Sequence, residues 1–139
     1  MKLIMSIFLV LLSSNVVFAE KIATGPSGNN CVEYAKSLVP ELKRYSGLWF
    51  LDDKKQIINS DKPKKGRVAV INPGNRDKET GKIIGHLAIV ISVDDEGKNK
   101  SITIQEANFP SPGIYKRKVS GKKIDDVEKE LHIIGYFKP

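Results

Sequence analysis

Residues 85–109 read GHLAIVISVDDEGKNKSITIQEANF. Two β-rich runs, Gly85–Val93 and Ser101–Phe109, flank a polar, glycine-containing link over Asp94–Lys100, the pattern of an antiparallel hairpin. Upstream, GRVAVI at residues 66–71 is a third run of the same kind, separated from the hairpin by the exposed loop NPGNRDKETGK at 72–82. A period of two along the last run puts Ile102, Ile104, Glu106 and Asn108 on one face and Thr103, Gln105 and Ala107 on the other. A carboxylate thus shares the apolar face, where it needs a cationic or donor partner to offset its desolvation. His86, at the start of the neighbouring strand, is the natural partner. The competing reading puts Glu106 and Asn108 in water at a frayed strand end. The other histidine, His132 in LHIIGYF, reads as a structural strand residue with one polar tip.

Working outward toward the N-terminus, GPSGNNCVEYAKSLVP at residues 25–40 holds the single cysteine of the chain, Cys31. KIATGPSGNN reads as an extended lead-in. A helix is expected to begin at its end, with Asn30 as N-cap and Glu33 at the capping-box spacing. Cys31, Tyr34, Ala35, Leu38 and Leu42 then recur at helical spacing on the core side. Cys31 is the first helical residue, where backbone N–H groups and the helix dipole favour a thiolate. A small buried hydrophobe is the plainer reading of the same residue.

The 139-residue chain carries a net charge of +7. At its start Lys2 precedes an apolar run, Leu3–Leu12, and Val17-Phe18-Ala19 ends on a small residue, the layout of a cleavable secretory signal. The run is too short to span a bilayer, so residues 1–19 are expected to be removed after Ala19. Residues 20–139 then form one domain, soluble in the periplasm or outside the cell, with no stable membrane insertion. With one cysteine no internal disulfide is possible, and packing must supply the stability. The basic balance suits anionic surfaces such as the cell wall; no nucleic-acid motif is present, and the basic residues are dispersed. One cysteine and two distant histidines do not make a metal site, and no cofactor is implied.

In NNCVEYA, KPKKGRVAVI, GHLAIV and IQEANF, taken in that order, the chain resembles the CHAP family, the cysteine- and histidine-dependent amidohydrolases and peptidases. The likeness extends over about residues 28–137 and takes in Trp49, the IYKRKV strand and the terminal IIGYF strand. It implies an α+β, papain-like fold in which a helix carrying the nucleophile packs on an antiparallel sheet carrying the base. It also implies roles: Cys31 as nucleophile, His86 as general base and then acid, and Glu106 as the residue orienting the imidazole. Asn108 is an auxiliary polar residue or takes that orienting role itself. The backbone N–H of Cys31 belongs to the oxyanion hole, with the Asn30 side chain as a second candidate. Many members have glutamine before the cysteine, and Asn30 is shorter.

The expected activity is cleavage of amide bonds in peptidoglycan stem peptides or cross-links by an exported cysteine hydrolase. Three rivals stand beside it: a secreted amidase effector aimed at a competitor or host, a catalytically silent wall-binding domain of the same fold, and a basic envelope protein whose Cys31 pairs with another molecule.

Overall fold

Val68, Ala69, Val70 and Ile71 are apolar without interruption because the strand they form is covered on both faces. Alternate residues of β3 (Val68–Ile71) feed two separate cores. Val68 and Val70 pack with Leu87, Ile89 and Phe137, whereas Ala69 and Ile71 pack with Ala88, Val90, Ile102, Ile104 and Tyr136. The computed structural model describes residues 7–12, 15–24, 30–109 and 111–139.

Around β3 lie β4 (His86–Asp94), β5 (Lys100–Ala107), β6 (Ile114–Gly121) and β7 (Ile133–Phe137), with β1 (Ile7–Leu12) and β2 (Asn15–Ala23) beyond β6. The seven strands run in the order β1-β2-β6-β5-β4-β3-β7, and every adjacent pair is antiparallel. The hairpin expected over 85–109 is β4–β5, with Asp94 opposite Ser101. The segment read as a signal lies partly outside the described residues; Ile7–Leu12 and Asn15–Ala23 form strands, and Ala19 sits opposite Arg117 of β6.

One face of the sheet carries α1 (Cys31–Leu38), a 3-10 helix (Pro40–Arg44) and the short α2 (Leu51–Lys55). The other carries α3 (Ile124–Glu130), whose Val127 joins the second core. The fold is therefore α+β, as the resemblance implied. At eight residues α1 is too short to persist alone. It holds because Val32 and Ala35 are buried, and because Gln105 Nε2 donates to Tyr34 Oη at 2.6 Å, tying the helix to β5.

Two details differ from the sequence reading. Val39 precedes a proline and leaves the helical region at φ -126°, ψ 86°, so α1 stops at Leu38 and Leu42 reaches the core from the 3-10 helix, leaving Leu38 46% exposed. His132 lies in the turn between α3 and β7, exposed and at φ 57°, not within a strand. Its carbonyl accepts from Asn72 N–H at 2.9 Å.

Candidate active site

Asn30 caps α1 as its residue type leads one to expect: its Oδ1 accepts from the N–H of Val32 at 2.8 Å and of Glu33 at 3.4 Å. The cap commits that oxygen and leaves only the side-chain amide to donate. The N–H of Cys31 has no partner among the described residues. Cys31 itself is half-buried at the helix start and packs against the core that includes Leu87, the neighbour of His86 on β4. Burial works against its ionisation, but the hydrogen bond to His86 and the charges of His86 and Lys54 outweigh it and lower the thiol pKa.

His86 opens β4 and is buried. Its Nε2 meets Glu106 Oε1 at 2.8 Å, which leaves Nδ1 as the nitrogen for the Cys31 sulfur. Burial disfavours the imidazolium, yet the hydrogen bonds to Cys31 and Glu106 and the two negative charges raise the His86 pKa to about 9. The two groups therefore favour a thiolate–imidazolium pair.

Glu106 is wholly buried on β5, on the face it shares with Ile102 and Ile104. Continuing the register in which Ile89 opposes Gln105 sets Glu106 across from Ala88, diagonal to His86. On the other side Arg117 of β6, opposite Ile104, is the second diagonal neighbour. Its Nε donates to Oε2 at 2.8 Å and its Nη2 to Oε1 at 3.0 Å, a bidentate pair. Burial alone would raise the Glu106 pKa; His86 and Arg117 together lower it. One carboxylate thus serves two cations.

Asn108 does not reach the imidazole. The strand ends at Ala107, and Asn108 turns away at φ 65° with its N–H donating to Gly113 O at 2.8 Å and its side chain exposed. Asparagine tolerates that left-handed conformation better than most residues. The turn brings Phe109 back over the site, its ring 5.3 Å from that of His86 and 4.4 Å from the Arg117 guanidinium carbon. Phe109 covers the imidazole and the ion pair with one aromatic face.

Sequence reasoning missed Arg117, Phe109 and Lys54. Arg117 carried a usable signal, because alternation in IYKRKV puts Tyr115, Arg117 and Val119 on one buried face, the same argument that singled out Glu106. Lys54 carried none. Its ammonium is buried against two main-chain carbonyls, of Trp49 at 3.1 Å and Ile84 at 2.9 Å.

A thiol at a helix N-terminus, an imidazole on the strand it packs against and a buried carboxylate bonded to that imidazole form a constellation suited to nucleophilic acyl transfer. Among the described residues no cluster of His, Cys, Asp and Glu is placed to hold a metal ion. The family model of the CHAP domain matches residues 21–108, a span that includes Cys31, His86 and Glu106 and stops short of Arg117. No curated protein and no solved structure matches the chain.

Proposed function

The chain belongs to the CHAP domain family, whose members are generally amidases or peptidases, and from that membership we propose an exported cysteine hydrolase that cleaves amide bonds in peptidoglycan stem peptides or cross-links. The observation that carries the reading is Cys31 at the start of α1, packed against β4, with His86 at the start of that strand hydrogen-bonded to the buried Glu106. In this reading the Cys31 thiolate attacks the scissile carbonyl carbon, and the negative charge passes from sulfur to oxygen. The N–H of Cys31 stabilises that oxyanion, with the Asn30 amide beside it as a further donor. His86, as imidazolium, gives its proton to the leaving amine; the C–N bond breaks and a thioester remains. The neutral imidazole next takes a proton from water, the hydroxyl adds to the thioester, and the thiolate departs with the carboxylate product. Glu106 holds the ring orientation and favours the imidazolium, while Arg117 keeps the carboxylate ionised and fixed.

Export rests on Leu3–Leu12 and the small residue at Ala19, and the net charge of +7 supports attraction to an anionic wall. Cleavage after Ala19 would remove β1 and most of β2, leaving Glu20 opposite Lys116 on β6. Intact mass of protein recovered from the periplasm or medium tests this; a species that retains Met1–Leu12 refutes it.

For the reaction, purified sacculi are digested with the wild type and with Cys31→Ala. New free amino groups and shortened muropeptides by mass spectrometry are expected from the wild type alone. An unchanged muropeptide profile with folded wild-type protein removes peptidoglycan as the substrate.

A further inference from the structure

Lys54 is only 1% exposed, which is unusual for a residue whose flexible stem normally carries its ammonium out to water. Two of its three protons go to the carbonyls of Trp49 and Ile84. Those carbonyls are dipoles and supply no counter-charge. A buried ammonium without an anion is costly and tends to lose its proton. Among the described residues, no ion pair joins Lys54 to a carboxylate. The neighbouring Asp53 accepts from the Phe50 N–H at 3.0 Å, capping its own helix.

Besides Asp53, the anion that faces Lys54 is the sulfur of Cys31. Lys54 is fixed on the carbonyl of Ile84, and Cys31 packs against the core that includes Leu51 of α2 and Leu87 of β4, so both groups lie against the stretch Ile84–Leu87 that carries His86. Further links keep α2 on this stretch: Leu51 N–H donates to Ile83 O at 2.8 Å, and Gly85 lies directly against Leu51.

We propose that Lys54 is a positioning residue for the nucleophile, a second buried cation that holds Cys31 as a thiolate together with His86 and is itself kept charged by that thiolate. The inference rests on the reading of Cys31 as nucleophile. Each of the two groups favours the charged form of the other, while burial pushes the Lys54 pKa down. The charged groups facing Cys31 are His86 and Lys54; Lys54 faces Cys31 and Asp53; Glu106 and Arg117 act through His86. His86, Lys54 and Arg117 are matched by Cys31, Glu106 and Asp53, and the cations stay in place when the negative charge moves from sulfur to the carbonyl oxygen.

The test reads thiol ionisation directly, as the rate of Cys31 alkylation by iodoacetamide against pH in the full chain. His86→Ala is expected to leave a thiol that still ionises below the free-cysteine value of about 8.5. Adding Lys54→Met to His86→Ala should lower the rate at neutral pH by a further tenfold or so, the equivalent of about one pKa unit. Lys54→Arg, which keeps the charge, should restore most of the loss. Superimposable profiles for His86→Ala with and without Lys54→Met would overturn the proposal and make Lys54 a structural staple.

Should the Met variants fail to fold by circular dichroism, the reciprocal measurement decides. The Lys54 side chain, followed by NMR of labelled lysine, should lose its proton at a lower pH in Cys31→Ala than in the wild type, because the coupling is mutual. Identical titrations would overturn the proposal. Hydrolysis surviving in Cys31→Ala would instead sink the nucleophile reading, and the ionisation curves would still report on Lys54.

Discussion

Glu106 accepts from His86 and Arg117 with no exposure to water, so its charge matters more than its shape. Glu106→Gln leaves Arg117 buried without a counter-charge, and breaking such a pair from one side costs about 3–5 kcal/mol of stability. Turnover should fall by roughly two orders of magnitude or more, as for the third member of a triad. The double variant Glu106→Gln/Arg117→Met should recover much of the melting temperature without recovering turnover, which separates the two roles. Asn108→Ala, exposed and outside the hydrogen-bonded series, should keep activity; a loss as deep as that of Glu106→Gln would reverse the assignment. A pH profile follows from the same groups. The thiolate–imidazolium pair titrates as a unit, so kcat/KM should fall above about pH 9 as His86 loses its proton, with an acid limb below the free-thiol range. Stability has the corresponding signs. The contribution of His86 is full below its ordinary value of 6.5 and is lost as pH rises through about 9. That of Glu106 is present above its ordinary value of 4.5 and is lost on acidification through its lowered folded pKa. An alkaline limb centred near pH 7 would contradict the geometry. Alternation put Glu106 on the apolar face, the place of His86 at the start of the neighbouring strand made it the partner, and the family resemblance supplied their roles. Asn108 followed the same period in the sequence, but nothing local announced that β5 ends at Ala107, and Lys54 depends on carbonyls far from it in the chain.

Strands were more legible than helices, because β3, β4 and β5 bury consecutive β-branched runs between turn formers, whereas α2 spans five residues whose only buried members are Leu51 and Lys54. α3 was equally silent: one buried valine among charged residues gives no helical period to read. The junction between α2 and β4 depends on Gly85, which sits at φ 75°; a Cβ there would come within 3.0–3.3 Å of Leu51 atoms, and Leu51 would have to give way by a few tenths of an ångström. Gly97 has nearly the same φ, 74°, and open space around it, which makes it a matched control. Gly97→Ala should cost only the backbone strain, about 1 kcal/mol, and leave turnover alone. Gly85→Ala should cost more and also displace His86, lowering kcat. Equal effects of the two on kcat, measured beside thermal melts, would show that α2 does not set the position of the histidine.

At the scale of the whole molecule, seven antiparallel strands covered by helices on both faces give the domain two cores, and packing rather than cross-linking holds it together. The site draws on four separate pieces, α1, α2, the start of β4 and the end of β5, with β6 behind them. Its assembly therefore reports the fold as a whole. Cys31 is the chain's single cysteine, which has a chemical consequence. A lowered thiol pKa makes sulfur a target for peroxide, and the first product, a sulfenic acid, is ordinarily rescued when a second thiol in the same protein closes a disulfide. This chain has no second thiol to do so. Peroxide should thus inactivate the enzyme at a rate that tracks its thiolate fraction, and prompt addition of dithiothreitol should restore activity. Delayed addition should not, because the sulfur by then has advanced to the sulfinic acid, visible as successive oxygen additions in the intact mass. Recovery independent of delay would mean that the sulfur is shielded from the second oxidation and that the protein can wait as the sulfenic acid until a reductant arrives.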